Sequence, residues 1–343
     1  MQHSGASELK TQFSRKYEVL GLCNALIDVI ISVDDGDLTS LGIEKGIMTL
    51  VDTQRQQEIL AYFKGHTLDT EVGGSCPNVI RTLAGLGART AFSGVVGADV
   101  FGNTFLEKLS SLSVDTLVNR HEEMPTGTCL ILVTWDGERT MLTALGASRS
   151  IDQHSVPVAQ LRHSEIFFTT GYQWDTPAQI QAINFAVRQA KASGAKVAFD
   201  LADPFCVARH REAFLALLDE SLVDLVFANR DEALALTESS NPEKALEYLA
   251  KRTEVAVVKL GKQGSIAARK AQSAKIPSDH AIQVRDTTGA GDSYAGGFLF
   301  GYLRGKNLME CGTIANDCAE SVIQHVGAHI PVETLKNLRL RYA

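Results

Sequence analysis

Short, continuously apolar runs that alternate with helical stretches place the strongest constraint on the fold of this chain. The runs are rich in Val, Ile and Phe, and we predict them as strands: Tyr17–Leu22, Thr90–Val96, Glu165–Thr170, Lys196–Leu201, Val223–Ala228 and Glu254–Leu260. Helical patterns lie between and after them: Pro177–Ala192, Asp231–Thr237, Gly291–Leu303 and Leu308–His325. Strands that are apolar on both faces need helices on both sides. The pattern therefore predicts an α/β fold with a mostly parallel central sheet between two helical layers.

Two other segments predict a small second sheet that stands off the main one. Thr128–Thr134 and Glu138–Thr143 flank an Asp-Gly pair, which is a strong hairpin signal between alternating residues. Val29–Val33 and Ile47–Val51 enclose a polar, Gly-containing loop, and we predict that they are antiparallel as well. We interpret the chain as a polar tail (1–16) and one domain (17–343), whose lid segments lie at about 28–52 and 118–144.

Composition and charge exclude several classes of protein. The net charge of −7 gives no electrostatic reason to bind nucleic acid or an anionic membrane surface. No apolar run approaches the length of about 20 residues that spans a bilayer. The first sixteen residues lack the apolar core of a signal peptide, and the six cysteines form no Cys-x-x-Cys pair. We therefore expect a cytoplasmic protein with free thiols.

The segment Asp286-Thr287-Thr288-Gly289-Ala290-Gly291-Asp292 carries the most chemical information. Its small residues allow a tight turn just before a predicted helix, where unpaired N–H groups and the helix dipole form an anion site. A carboxylate such as Asp292 is misplaced in a site that only binds phosphate. Its position is suitable for a general base, which would take a proton from a hydroxyl group while the N–H groups hold a phosphoryl group. The alternative is a Gly-rich helix start with a favourable acidic residue in its first turn.

A second segment, Gly73-Gly74-Ser75-Cys76-Pro77-Asn78, has the form of another helix start. Ser75 is a suitable N-cap and Pro77 suits the first turn. Two consecutive glycines, Gly73 and Gly74, indicate that another group approaches the backbone closely. Asn78 can donate and accept hydrogen bonds at once, and we favour a role in binding a substrate hydroxyl over a purely structural one.

Asn24 and Asp28 follow the first predicted strand, where open parallel sheets place their ligand crevice. An Asp that accepts from two neighbouring hydroxyl groups is a natural way to hold a sugar. Taken alone, either residue is equally consistent with a turn.

Two segments further along the chain each have two interpretations. Asn229 to Glu232 is either an N-cap with acidic first-turn residues or a site for hydrated Mg²⁺, and the sequence does not separate these. Lys259, Gly261 and Gly264 end the next predicted strand and suit either a nucleotide phosphate or a hairpin.

Together these motifs resemble the ribokinase-like (PfkB) family of sugar and nucleoside kinases, from about Tyr17 to Pro331. Gly73-Gly74 with Asn78 is similar to the family's N-terminal signature, and Asp286–Asp292 to its C-terminal signature. Within the family the chain is most similar to the adenosine kinase branch. The segments that carry this likeness are Pro125-Thr126-Gly127-Thr128-Cys129, Asn24-Ala25-Leu26-Ile27-Asp28 and Glu138-Arg139-Thr140-Met141.

The resemblance implies roles for particular residues. Asp28 would hold ribose hydroxyl groups, and Arg139 would act as a lid arginine that moves toward the transferring phosphate. An aromatic side chain would stack on the base, with Tyr172 the first choice and Trp174 the second. The branch usually has an apolar or Phe-rich stretch where this chain has Gly171-Tyr172-Gln173-Trp174, so the resemblance is weakest at the base pocket.

We therefore expect a kinase that uses ATP and Mg²⁺ to phosphorylate a primary hydroxyl group, most simply that of adenosine. Asp292 would be the base, the N–H groups from Gly289 through Ala290 and Gly291 would form the anion hole, and Thr287 and Thr288 would contact nucleotide. Asp286 is a candidate ligand for a monovalent cation such as K⁺. The alternatives are a ribokinase- or fructokinase-like sugar kinase and an inactive ligand-binding protein. The sequence leaves the oligomeric state open between a monomer and a homodimer.

Overall fold

A nine-stranded sheet forms the centre of the computed structural model, which describes residues 16–278 and 282–342. The predicted tail thus lies outside the described residues except for Lys16. The strand order is β14-β13-β12-β11-β10-β9-β1-β5-β6, and all neighbours are parallel except at the β12–β13 and β13–β14 pairs. The strands are β1 (Tyr17–Leu22), β2 (Leu26–Ser32), β3 (Met48–Leu50), β4 (Asp69–Gly73), β5 (Thr90–Gly97), β6 (Asp115–His121), β7 (Gly127–Val133), β8 (Arg139–Ala144), β9 (Ser164–Thr170), β10 (Lys196–Asp200), β11 (Leu225–Asn229), β12 (Val255–Lys259), β13 (Ser265–Arg269) and β14 (Gln272–Ile276).

Helices cover both faces of this sheet and give the predicted three layers. They are α1 (Asp35–Leu41), α2 (Thr53–Tyr62), α3 (Ser75–Gly85), α4 (Val100–Ser111), α5 (Val158–Leu161), α6 (Pro177–Ala192), α7 (Pro204–Asp219), α8 (Arg230–Thr237), α9 (Pro242–Ala250), α10 (Ala290–Leu303), α11 (Leu308–Ile323) and α12 (Val332–Tyr342). Successive residues of a strand enter opposite cores: Val19 packs in the core under α3, α4, α10 and α11, whereas Leu20 packs in the core under α6 to α9. None of the helices in the described ranges is long and apolar enough to cross a membrane.

The second sheet has five strands in the order β3-β8-β7-β2-β4. The predicted hairpin is confirmed, since β7 and β8 pair antiparallel across the Asp-Gly turn. The predicted antiparallel pairing of Val29–Val33 with Ile47–Val51 is wrong. Helix α1 lies between these segments, β2 pairs with β4 and β7, and β3 pairs parallel with β8. The predicted second lid segment starts inside β6, a strand that pairs with β5 in the large sheet.

The carboxyl ends of the parallel strands lie at one edge of the large sheet. Asn24 follows β1, the short 3₁₀ turn Gly171–Trp174 follows β9, and Asp200, Asn229 and Lys259 are the last residues of β10, β11 and β12. Open α/β sheets bind ligands at this edge. The small sheet and the start of α10 contribute to the same region, which is where the candidate site lies.

Candidate active site

Two cavities meet at the beginning of α10. The first, of about 640 Å³, is lined by the small sheet and by residues that follow β1 and β9. The second, of about 930 Å³, is lined by the ends of β10, β11 and β12 and by α10 and α11. Five residues line both cavities: Ala202, Val284, Thr287, Gly289 and Asp292. A group in one cavity can therefore reach a group in the other across Asp292.

The turn before α10 has the geometry of an anion site. Gly289 is the N-cap with φ of 73°, and a Cβ there would lie 2.7 Å from the Ala328 carbonyl oxygen, so glycine is required. The helical ladder starts with the Ser293 N–H, which donates to the Gly289 carbonyl. The N–H groups of Gly291 and Asp292 precede that bond, whereas the Ala290 N–H already donates to Thr287. In the described part of the chain, the N–H groups of Gly291 and Asp292 therefore have no backbone acceptor and are available to an anion.

The Asp292 carboxylate is buried and held by two donors from α3. The Ser75 hydroxyl donates to Oδ1 at 2.6 Å, and the Asn78 amide donates to Oδ2 at 2.9 Å. Burial raises the pKa of Asp292 above its ordinary value, while these two hydrogen bonds favour the ionised form and oppose the shift. The prediction of Ser75 as an N-cap is wrong: Gly74, with φ of 95°, occupies that position. Ser75 begins the helix, so its hydroxyl is free to bind Asp292.

Asp286 joins the turn to the small sheet. Its carboxylate forms an ion pair with Arg139, the first residue of β8, and accepts the Thr288 N–H at 2.9 Å and the Gly327 N–H at 2.6 Å. Both side chains of the ion pair are almost fully buried, and Arg139 Nη1 has no hydrogen-bond partner in the described part of the chain. Arg139 lines the first cavity together with Thr287 and Thr288. The binding of a monovalent cation by Asp286 stays a prediction.

Asp28 provides another buried carboxylate in the wall of the first cavity. It lies within β2 rather than in a turn after β1, and within the described ranges it has no hydrogen-bond partner. Its side chain packs against Gly73 on β4, where a Cβ would lie 1.9 Å from Asp28 Oδ1. The first glycine of the pair is therefore explained by the close approach of this carboxylate. Burial raises the pKa of Asp28 to about 7, although the guanidinium groups of Arg139 and Arg81 act against the shift.

The 3₁₀ turn after β9 contains both predicted aromatic residues, which lie in different environments. Tyr172 lines the first cavity, whereas Trp174 is buried in the core, with edge-on contacts to Phe199 and Phe214. Asn24 also lines the cavity, but its Oδ1 accepts from Gln179 at 2.9 Å. Part of the wall is apolar, and sequence reasoning missed this part: Leu26, Met48, Leu50, Ile131, Met141 and Leu145.

The second cavity contains the Asn229–Glu232 pair, which forms a capping box at the start of α8. The Glu232 N–H donates to Asn229 Oδ1, and the Asn229 N–H donates to Glu232 Oε2. The capping interpretation is therefore confirmed, yet both side chains also line the cavity. Burial raises the pKa of Glu232, against the opposing charge of Lys259.

Lys259, Gly261 and Gly264 line the same cavity, and the hairpin interpretation of this segment is also confirmed. The Leu260 N–H donates to Gly264 at 2.7 Å, and β12 and β13 are antiparallel. Lys259 forms a buried ion pair with Asp200, at 2.9 Å from Nζ to Oδ2. Burial lowers the pKa of Lys259, but the nearby carboxylates outweigh it and hold the pKa above its usual value. Asp200 was missed by sequence reasoning, although a charged residue near the carboxyl end of a predicted buried strand was a usable signal.

Comparison with known proteins agrees with this geometry. Residues 46–335, which make up most of the chain, match the pfkB family of carbohydrate kinases. The protein belongs to the pfkB family. The family comprises ATP-dependent kinases of sugars and nucleosides, and the protein is a kinase of this kind.

Solved structures and curated sequences similar to this pfkB kinase include both nucleoside and sugar kinases. The adenosine kinase of Sinorhizobium meliloti is 39% identical, with a TM-score of 0.88 over 96% of this chain and 100% of that one. A probable sugar kinase from Rhizobium etli is 33% identical, with a TM-score of 0.88 over 95% and 98%. The ribokinase of Haemophilus influenzae is 28% identical over 79% of this chain and 87% of its own length.

The residues of this pfkB kinase suit a metal ion that is held through water. In the described ranges, no group of three or more His, Cys, Asp or Glu side chains could hold a metal directly. Each Glu232 carboxylate oxygen accepts from Asn229, through the backbone N–H or the side-chain amide, and keeps a further lone pair. Mg²⁺ usually retains several waters and binds to one or two carboxylates plus phosphate oxygens. Glu232 can therefore accept hydrogen bonds from the waters of such an ion.

Proposed function

We propose that the protein transfers the γ-phosphoryl group of ATP to the 5′-hydroxyl of a nucleoside, with adenosine as the acceptor. The observation that carries the proposal is the position of Asp292 in the wall common to both cavities. The first cavity takes the acceptor and the second takes ATP. A carboxylate between the two cavities can accept the proton of the acceptor hydroxyl group. The γ-phosphoryl group moves from ATP to the oxygen of that hydroxyl group, and ADP is released.

Polar side chains that line the first cavity hold the acceptor in this proposal. Asp28 accepts hydrogen bonds from the ribose hydroxyl groups, and its lack of a partner in the described chain leaves both oxygens for that purpose. Asn78 keeps Asp292 in place through its Nδ2, and its buried Oδ1, which has no partner in the described ranges, accepts from an acceptor hydroxyl. Asn24 and Gly74 also line this cavity.

The phosphoryl group is stabilised by the start of α10 and by cations. The N–H groups of Gly291 and Asp292 donate to its oxygens, and each such donor is worth about 10²–10³ in rate in comparable sites. Arg139 Nη1, which is buried and has no partner among the described residues, supplies further positive charge from the small sheet. Glu232 and Asn229 orient Mg²⁺ through water, and the ion when bound neutralises charge on the phosphates.

The wall of the first cavity supports a nucleoside over a free sugar. Its apolar side chains come from the small sheet and from Leu145, and a free sugar would leave them against hydroxyl groups or water. A base fills that space, with Tyr172 available to stack on its face. The 39% identity with an adenosine kinase supports the same choice. A sugar kinase is the second candidate, because the polar end around Asp28 and Asp292 would serve a sugar equally well.

The small sheet acts as a lid in this proposal. It carries Met48, Leu50, Ile131 and Met141 of the apolar wall as well as Arg139, so its movement would open the acceptor cavity and withdraw a cation together. Closure excludes water, which would otherwise accept the phosphoryl group.

Turnover of ATP with Mg²⁺ across a panel of acceptors tests the proposal: adenosine, inosine, guanosine, cytidine, ribose and fructose. We expect strong turnover with adenosine and little with the free sugars. Turnover with ribose or fructose instead would retain the mechanism and replace the acceptor. A folded protein that binds ATP but phosphorylates none of the six would favour an inactive binding protein.

A further inference from the structure

The Lys259 ammonium group is buried beside the start of α10 and has donors to spare. It donates to Asp200 Oδ2 at 2.9 Å, and no second acceptor for it exists in the described part of the chain. The side chains of Lys259 and Asp200 are 14% and 5% exposed. An ammonium group has three donors, so two remain beyond the bond to Asp200, and Lys259 lines the second cavity.

Gly291 makes room for this ammonium group. A Cβ at residue 291 would lie 3.1 Å from Lys259 Nζ, a distance tighter than most real contacts. Nζ is therefore next to the first-turn N–H groups, at the positive end of the helix dipole. A cation is unfavourable at that end unless an anion lies between the two. The arrangement is a cradle for a negatively charged group, with Lys259 on one side and the helix start on the other.

Asp200 fixes the direction of the Lys259 side chain. The two residues end β10 and β12, which flank β11, so the ion pair spans the end of the intervening strand. Asp200 Oδ1 also accepts the Ala202 N–H at 3.1 Å. Ala202 has φ of 81°, which is costly for a residue with a side chain, and it lines both cavities. The strained turn and the ion pair thus meet where the two cavities join.

We propose that Lys259 is a catalytic cation that binds the γ-phosphate of ATP, and that Asp200 is the positioning residue that holds it beside Gly291. The inference rests on the proposed function, because it takes the second cavity as the ATP site. A buried ion pair with a purely structural role would not need further N–H donors of Lys259 at the cavity. It would also not need a residue without a side chain, Gly291, next to Nζ.

Titration with ADP and with AMP-PNP, a non-hydrolysable ATP analogue, tests the proposal without any acceptor. The wild-type protein with Mg²⁺ should bind AMP-PNP more tightly than ADP. Lys259→Met should remove most of that difference while ADP affinity changes little. In the turnover assay, with whichever acceptor is active, kcat should fall about 10²-fold or more, as for the loss of one donor to developing charge. Lys191→Met is the matched control, since it breaks the Lys191–Asp224 pair, with 2.7 Å between Nζ and Oδ1, outside both cavities.

Asp200→Asn keeps the shape of the side chain and removes its charge. We expect a smaller loss of AMP-PNP preference and of kcat, with an unchanged KM for the acceptor. If Lys259→Met does not fold, this variant decides the question by the same affinity ratio. Equal weakening of both nucleotides, an unchanged ratio in the folded variants, or a wild-type protein without AMP-PNP preference would overturn the proposal. A wrong acceptor would appear in the acceptor panel alone and would leave these titrations unaffected.

Discussion

The hydroxyl group of Ser75 donates to Asp292 Oδ1 at 2.6 Å, across 217 positions of sequence. Ser75 is the first residue of α3, and Asp292 lies in the first turn of α10. The starts of two helices therefore face each other at the junction of the two cavities. Because the contact involves the proposed base, changes on α3 should alter the chemistry as well as acceptor binding.

Replacement of the proposed base should separate binding from chemistry. For Asp292→Ala we expect a loss of at least about 10²-fold in kcat, the usual contribution of a positioned base. Dissociation constants for acceptor and nucleotide should change little. Asp317→Ala, which removes a carboxylate on α11 that bonds to Arg341 and Tyr342, is the control and should retain wild-type turnover. Near-normal turnover in Asp292→Ala would contradict the assignment of Asp292 as the base.

Loss of the Ser75 hydroxyl should shift the acid limb of the pH–rate profile. The hydrogen bond favours ionised Asp292, so Ser75→Ala should raise the pKa of that carboxyl further above its ordinary value. A base is active when ionised, so the acid limb of kcat at saturating acceptor, where the proposed effect of Asp28 on KM does not enter, should move to higher pH. Initial rates over a pH series for both proteins measure the shift. A limb that stays in place would show that another group sets it.

Acceptor affinity should depend on pH through Asp28. Its pKa is raised to about 7 by burial, and the ionised form is the better acceptor for hydroxyl groups. The acceptor KM of the wild-type protein should therefore fall as pH rises through about 7. Asp28→Asn should have a higher KM that no longer varies over this range, with ATP affinity unchanged. If ATP binding alone were weakened, the assignment of the two cavities would be reversed.

The same substitution should stabilise the protein at alkaline pH. A carboxyl whose pKa is raised by folding holds more protons in the folded state, so its contribution to stability is largest at low pH. That contribution is lost as pH rises from the unfolded pKa of about 3.9 to the folded pKa. Asp28→Asn should thus have a higher Tm than the wild-type protein above pH 7, and the gap should narrow as pH falls. A wild-type Tm that exceeded that of Asp28→Asn at high pH would contradict the prediction.

The Arg139–Asp286 ion pair should matter for stability as well as for turnover. Both side chains are almost fully buried, and removal of one partner from a buried pair costs about 3–5 kcal/mol. Arg139→Met should lower the free energy of unfolding by an amount of this order and should also reduce kcat. Arg341→Met breaks an exposed pair with Asp317 and should have a far smaller effect. Equal effects in denaturant titrations would argue against a special role for Arg139.

Six strands of the large sheet, β1, β5 and β9 to β12, could be predicted from sequence because they are apolar on both faces, whereas β6, β13 and β14 were not predicted. Tyr17–Leu22 and Pro177–Ala192 have the predicted bounds, and the other predicted strands differ by one or two residues at an end. The small sheet was harder, because Leu26–Ser32 pairs with strands that are distant in sequence. Its partners, β4 and β7, could not be inferred from the local turn between residues 33 and 47.

The site was predictable where a motif combines small residues with a charge. Gly289 and Asp292 have such a pattern, and the structure brings them together with Ser75 and Asn78. The apolar wall carries no such pattern: Met48 and Met141 are ordinary strand residues until the two sheets face each other. The Asp200–Lys259 pair was missed for the same reason, since it joins two strand ends that are neighbours only across β11.

The division of the two cavities between separate parts of the chain has a consequence for how such kinases diversify. The side chains that we propose to select the acceptor come largely from the small sheet, whereas those around α10 belong to the large sheet and its helices. Substitutions at positions such as Met48 or Ile131 can reshape one compartment and leave the other intact. The acceptor preference can thereby change while the residues for phosphoryl transfer stay the same. This is consistent with the similar sequence identity of this chain to an adenosine kinase and to a probable sugar kinase of the same fold.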